Sequence, residues 1–289
     1  MKVLKRLRFK FITPFVNEDF FTVVKKGVAD AAELFGVETE FTGVEGDDTE
    51  ALSEMIRGAV QNGYDGLVVS VLDPSVLNAP IQFAMQNGVP VIAFNIGAAP
   101  DTGVLCSVCQ DSRAAGKKVG KLASKKVKPG STVLLTLHDD IDVLRQRFNG
   151  IVEELPDVKV MECVTGNSVE KATEGIRKIL ADNPDISAII GTGQADTCGA
   201  GNAATELKGQ RDIYIAGFDV APETLQFIKE GIVDFTIDQQ PYVQGFYPVM
   251  QLFQYVSYGI CPSEIDAGAA VIDKNNVDDV IKHIENGFR

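Results

Sequence analysis

Short apolar runs alternate with longer segments of helical periodicity along the whole chain. In the first half, LRFKFIT (7–13), VETEFTGV (37–44), GLVVSV (66–71) and VPVIAFN (89–95) read as strands, being short, apolar and bounded by turn residues. Between the first two, Phe20, Val24, Val28, Ala31 and Phe35 recur at helical spacing up to Gly36, and further helices are predicted over 50–62 and 74–87. A second array repeats the rhythm. VLCSVC (104–109), STVLLTL (131–137), KVMECVT (159–165), SAIIGTG (187–193) and DIYIAGFD (212–219) are predicted strands, with helices over 111–127, 142–155, 169–182 and 197–207. Ala221-Pro222-Glu223 opens a helix, a following strand delivers Gln239, and a helix over 242–258 carries Tyr247, Met250, Leu252, Phe253 and Val256. AAVIDKNN (269–276) and a short helix over 277–285 close the pattern. Such alternation predicts an α/β fold with parallel sheets. NGYDGLVVSV matches NPDISAIIGTG in kind, and GVPVIAFN matches RDIYIAGFD, so the unit reads as duplicated, with Asn95 and Asp219 at equivalent strand tips.

Length and charge narrow the function classes. The 289 residues, 45% of them hydrophobic, suffice for two cores. A net charge of −13 argues against nucleic acid as a partner, because that needs a basic face. The chain has no run of about 18 apolar residues, so no membrane-spanning helix is expected. The opening MKVLKRLRFKF is basic, but its apolar stretch is too short and interrupted for a secretory h-region. The expectation is therefore either a cytoplasmic protein or a chain that begins after its export signal. No low-complexity stretch or Gly/Pro/Ser-rich linker interrupts the two arrays, which predicts short crossings suited to hinge motion.

The two histidines, His138 and His283, fall in no metal-binding spacing, and no G-x-S-x-G is present. GKKVGKL lacks phosphate-loop spacing and reads as a solvated helix face. GTGQAD (191–196) follows a strand as a dinucleotide fingerprint would, but aspartate stands at the third glycine, where it would face pyrophosphate. Five cysteines, 106, 109, 163, 198 and 261, are odd in number and widely spread. The C-x-x-C at 106–109 lies in a strand with no second pair nearby, so the thiols read as inert. No enzyme and no cofactor or metal is expected.

What remains is a set of polar residues at strand tips, Asn95, Arg147, Gln194, Asp219 and Gln239, with the aromatics Phe20 and Phe21. Sugars and polyols call for this mixture. Each hydroxyl donates and accepts, so carboxylate, amide and guanidinium groups can bridge neighbouring hydroxyls while aromatic faces cover C–H surface. A plainer reading stands beside each: Phe20 and Phe21 as core, Asp219 as a helix cap, Arg147 as a surface charge.

The segments NEDFFTVVKKGVADAAELFGV, NGYDGLVVSVLDP, GVPVIAFN, RQRFNGI, NPDISAIIGTG, IAGFDVAPETLQFIKEG and DFTIDQQPYVQG, in this order and spacing, resemble the type I periplasmic sugar-binding proteins of ABC importers. The resemblance implies two Rossmann-like lobes, 1–110 plus 240–268 and 111–239 plus 269–289. It also implies three hinge crossings and a monosaccharide, polyol or related furanose enclosed by hinge closure. Residue by residue, it matches Asn95, Arg147, Asp219 and Gln239 to ligand-contacting positions, Phe20 and Phe21 to stacking, and Glu18 and Asn167 to neighbouring positions; Gln194 joins the set as a polar residue at a strand tip. Glu18 falls where ribose binders carry asparagine, Ile96 where a second arginine is common, Gly193 where asparagine is common, and Asn167 near a usual phenylalanine, four departures from the ribose-binding pattern. The implied partners are the membrane subunits of the importer, with a monomeric protein placed in the periplasm or lipid-anchored outside the cell. The same two-lobed module also serves as the effector-sensing part of repressors and membrane receptors, the second reading the resemblance allows.

Overall fold

GLVV (66–69) and VIAF (91–94) are apolar at every position and buried along their whole length, as strands of a parallel sheet covered on both faces must be. The structure, a computed structural model, describes residues 6–207 and 209–289; the basic opening, residues 1–5, lies outside the described residues. In chain order the elements are β1 (Arg8–Thr13), α1 (Phe20–Phe35), β2 (Glu38–Gly43), α2 (Thr49–Gln61), β3 (Gly66–Val69), α3 (Pro74–Gln86), β4 (Val91–Phe94) and β5 (Ser107–Cys109). There follow α4 (Ser112–Ala123), β6 (Thr132–Leu137), α5 (Asp142–Glu153), β7 (Lys159–Val164), α6 (Val169–Asp182), β8 (Ile186–Gly191) and α7 (Gln194–Thr205). The last are β9 (Tyr214–Phe218), α8 (Pro222–Glu230), β10 (Phe235–Asp238), α9 (Pro241–Tyr258), β11 (Ile265–Asp266), β12 (Ala270–Asp273) and α10 (Val277–Glu285).

The chain divides into two compact units, residues 1–110, 240–267 and 286–289 in unit 1 and residues 111–239 and 268–285 in unit 2. Unit 1 holds a six-stranded sheet in the order β2-β1-β3-β4-β5-β11, with parallel pairing throughout. Unit 2 repeats it as β7-β6-β8-β9-β10-β12, with only β12 antiparallel. The fold is α/β with two similar doubly wound sheets. In each, the strand order reverses beside the first strand, at β1/β3 and at β6/β8, and open sheets of this kind bind ligands off the carboxyl ends at that switch point. The tail joins unit 1 because the Phe288 ring meets Tyr242 edge-on with centroids 5.3 Å apart and lies under Lys26.

Each sheet separates two apolar layers. Phe9, Phe11, Val24 and Leu252 belong to one core of unit 1, and Leu52, Ile56, Leu67 and Ile81 to the other; Val133, Ile190 and Phe218 against Leu134, Ile176 and Ile189 do the same in unit 2. Most boundaries fall within two residues of the sequence expectation, and two departures have local causes. The helix expected over 111–127 stops at Ala123, where Ser124 Oγ turns back to the Lys121 carbonyl at 3.0 Å. The helix expected over 197–207 starts instead at Gln194, because Asp196 caps the turn before it.

Candidate ligand-binding site

Every strand of unit 2 that points at the switch region ends in a polar residue. His138 follows β6, Thr192 follows β8, Asp219 follows β9 and Gln239 follows β10. α5 supplies Arg147, which is buried at 3% exposure rather than lying on the surface as a lone arginine usually does. Its Nη1 donates to the Thr192 carbonyl at 2.8 Å, and its guanidinium carbon lies 4.4 Å from the centroid of the Phe218 ring. Packing against an aromatic face gives the cation part of what it loses by leaving water.

Asp219 does not cap the helix after it. The N-cap of α8 is Ala221, which makes no side-chain cap bond, and Asp219 Oδ1 instead accepts from Gln239 Nε2 at 2.7 Å. Its backbone is in the left-handed region at φ 72°, and Asn95 at the equivalent tip of unit 1 has φ 60°. Both residue types tolerate that conformation better than most. Burial raises the pKa of Asp219, opposed by the charge of Arg147 and the amide of Gln239. Burial likewise lowers that of Arg147, opposed by Asp219 and Asp196. Each ion is thus strained by desolvation and partly relieved by the other.

Asp196, which sequence reading took only as the wrong residue for a phosphate fingerprint, is fully buried. It accepts from Thr192 N at 2.7 Å, Gly193 N at 3.0 Å and Thr136 Oγ1 at 2.9 Å. The amides that a dinucleotide loop would aim at pyrophosphate are therefore taken by the protein's own carboxylate. His138 was also passed over. Its Nδ1 stands 3.5 Å from Asp196 Oδ1. Three buried polar atoms at these tips, His138 Nδ1, Arg147 Nε and Thr192 Oγ1, make no hydrogen bond. Orphaned polar atoms are costly in a folded interior; His138 Nδ1 faces the Asp196 carboxylate, while Arg147 Nε and Thr192 Oγ1 are the kind of group a ligand completes.

The other expected residues are distributed as follows. Gln194 is exposed at the start of α7, and Asn167 is exposed, with Nδ2 3.4 Å from Asp139 Oδ2. In unit 1, Phe21 is a core residue at 3% exposure, covered by Phe41 and Phe94, whereas Phe20 keeps part of its ring accessible and meets Phe21 edge-on. Asn95 is half-buried, with Oδ1 accepting from Ser70 Oγ at 3.4 Å. Glu18 is exposed in the turn before α1, its carbonyl accepting from Phe21 N. Separating backbone from contact at Asn95 is straightforward. Asn95→Ala is expected to destabilise by about 1–2 kcal/mol through its left-handed φ, and Asn95→Gly by much less. Urea unfolding checks this, and equal losses in both variants would refute the conformational account.

Burial pushes the Cys106 thiol up to about 12 and Cys198 to about 11. Among the described residues, no group of three or more His, Cys, Asp or Glu is placed to hold a metal ion, and no helix is long and apolar enough to cross a membrane.

The chain is 29% identical to the xylose/arabinose-binding protein of Sulfolobus acidocaldarius over 92% of this chain and 71% of that one. It is 26% identical to the ribose import binding protein of Bacillus subtilis, over 80% and 75% of the two chains. Among solved structures, a carbohydrate transporter from Acidothermus cellulolyticus in complex with myo-inositol superposes with a TM-score of 0.84 at 27% identity, covering 98% of this chain and 100% of that one. The family model described as periplasmic binding protein domain matches residues 9–259, and the chain belongs to that family of solute-binding proteins.

Proposed function

We propose that this protein is the solute-binding component of an ABC-type importer, capturing a neutral monosaccharide, polyol or related furanose. The observation that carries the reading is the cluster at the strand tips of unit 2, a guanidinium, two carboxylates and an imidazole with three orphaned polar atoms among them. Vicinal hydroxyls donate to Asp219 and accept from Arg147, and Phe218 already holds the guanidinium plane in position. The two cations and two anions balance when His138 is protonated, which suits an uncharged ligand over a sugar phosphate or sugar acid. Relatives named for xylose, arabinose and ribose, and a relative solved with myo-inositol, support the class of ligand.

Glu18, Phe20, Asn95, Gln194, Asn167 and Gln239 complete the proposed contact set, with Phe21 acting from the core by holding Phe20. Hinge closure of the two units accompanies capture, and the importer's membrane subunits are the partner of the loaded form. The proposed location is the outer face of the membrane, periplasmic or lipid-anchored.

A thermal-shift panel of pentoses, hexoses, their polyols and inositols on ligand-stripped protein tests the reading. A bound ligand at ~100 times its dissociation constant stabilises by about 2.7 kcal/mol, a shift of several degrees. At least one neutral polyhydroxylated compound is expected to give it. Silence across the panel, with a response to nucleotides or to charged metabolites, would overturn the assignment.

A further inference from the structure

The residue closing β6 at the switch point of unit 2 is His138, and the fold makes room for its ring. A Cβ on Gly193 would lie 2.3 Å from both Cε1 and Nδ1 of the imidazole, so any other residue there would push the ring away. The carboxylate that meets Nδ1 is itself immobile, since Asp196 is fixed by two backbone amides and Thr136. A quarter of the His138 side chain remains exposed, while Asp196 is wholly buried. The Nδ1 side of the ring thus faces a fixed anion at 3.5 Å, and Asp219 after β9 and Arg147 of α5 are the other charged groups that act on it.

We propose that His138 is a ligand-contacting residue, and that its protonated ring, held on Asp196, makes sugar capture tighter in mildly acidic than in alkaline solution. This rests on the sugar-binding reading and adds to it a contact and a form of regulation. Facing the anion, Nδ1 carries a hydrogen in both protonation states, so titration alters Nε2 alone, a donor when the ring is charged and an acceptor when it is neutral. A ligand hydroxyl can meet either, but the charged donor makes the stronger bond.

The charged groups facing the ring are Asp196 on α7, Asp219 after β9 and Arg147 on α5, with Asp139 next in the chain. Burial works against the charge, but the two facing carboxylates outweigh burial and Arg147 together, and the pKa is held above its ordinary value. The ring thus stays charged to higher pH than a free imidazole and loses its proton as pH rises through that elevated value. Affinity falls in the same direction.

Calorimetric titration of the full chain with D-xylose, L-arabinose, D-ribose and myo-inositol, in buffers of differing ionisation heat, reads both affinity and proton uptake. For whichever sugar binds, affinity is expected to be about tenfold higher near pH 5.5 than near pH 8.5, with proton uptake on binding near and above the pKa of the free protein. His138→Gln should flatten the profile and lose the acid-side advantage, and Gly193→Ala, which displaces the ring without removing it, should do the same. Proton uptake by the unaltered protein needs no variant to fold. A flat profile with sugar still bound would overturn this inference alone, as would a slope surviving in His138→Gln, which would place the titration on a carboxylate. No sugar bound at any pH would overturn the inference together with the sugar reading.

Discussion

Replacing Arg147 by methionine is expected to cost at least about 2 kcal/mol of ligand binding, near thirtyfold in affinity, because it removes a charged donor whose loss leaves buried partners unpaired. Methionine keeps much of the side-chain length, so the change isolates the guanidinium. The Thr192 carbonyl loses its donor, and the Asp219 carboxylate loses the nearby positive charge while keeping only the amide of Gln239. Stability should respond to pH in a diagnostic way. Burial already holds the Asp219 pKa above its ordinary value, and without Arg147 it rises further. Between its unfolded and folded pKa values, Asp219 is then ionised when unfolded and protonated when folded, so stability falls as pH rises through that window and is recovered on acidification. Adding Asp219→Asn should restore stability at neutral pH, since an amide needs no counter-ion, but should not restore binding. Denaturant unfolding at two pH values and calorimetric binding separate these effects. Affinity within threefold of the parent, in Arg147→Met, would mean the guanidinium does not face the ligand.

That arginine also marks how far the sequence could be read. Strand existence, the duplication of the array and the equivalence of Asn95 and Asp219 followed from apolar runs and short loops, because buried parallel strands leave an unbroken apolar signature. The two-residue β11 has no such signature, and it was missed. Helical spacing does put Arg147 on the buried face of α5, with Leu144 three residues before it and Ile151 four after, but only the resemblance of RQRFNGI selected it as a ligand contact. His138 and Asp196 were dismissed one at a time for failing known motifs. What joins them is a tertiary fact, the capped turn from Thr192 to Asp196 and a ring lying against Gly193, and no linear spacing encodes it. The one available clue was negative: an aspartate in GTGQAD, just after a buried strand, must find donors, and the nearest are the amides of its own turn. The apolar stripe read from Phe20 to Phe35 fits Phe21 as well, since adjacent helical residues point about 100° apart, and the packed core covers Phe21 and leaves Phe20 the more accessible.

The largest loss of stability is expected from bulk placed where α4 crosses α5. A Cβ on Gly116 would lie 2.1 Å from the Arg147 carbonyl oxygen, and one on Gly150 would lie 2.3 Å from the Arg113 carbonyl oxygen. These contacts are backbone, which cannot rotate away, so each helix can approach only because the other presents glycine. Unit 1 repeats the device where α1 meets α9, with Gly27 against Tyr242 and Gly245 against Val24. In both units the helix following the first strand of the sheet packs on the helix the chain enters soon after a crossing, α9 after Gln239 and α4 after Gln110. Such tight seams leave overpacking no relief but separation of the helices, at about 1–3 kcal/mol for a small intrusion and more for a large one. Intrinsic helix propensity pulls the other way by about 1 kcal/mol when glycine becomes alanine, so a net loss is a demanding test. Gly116→Ala should therefore destabilise the protein despite the better helix former, and Gly116→Val more severely. The displaced atom is the backbone of Arg147 itself, so ligand affinity should fall together with stability in Gly116→Ala. In Gly27→Ala, far along the chain in unit 1, stability should fall while Arg147 keeps its place. Denaturant midpoints with paired binding titrations decide it: Gly116→Ala at or above parental stability would show that the seam can open without cost.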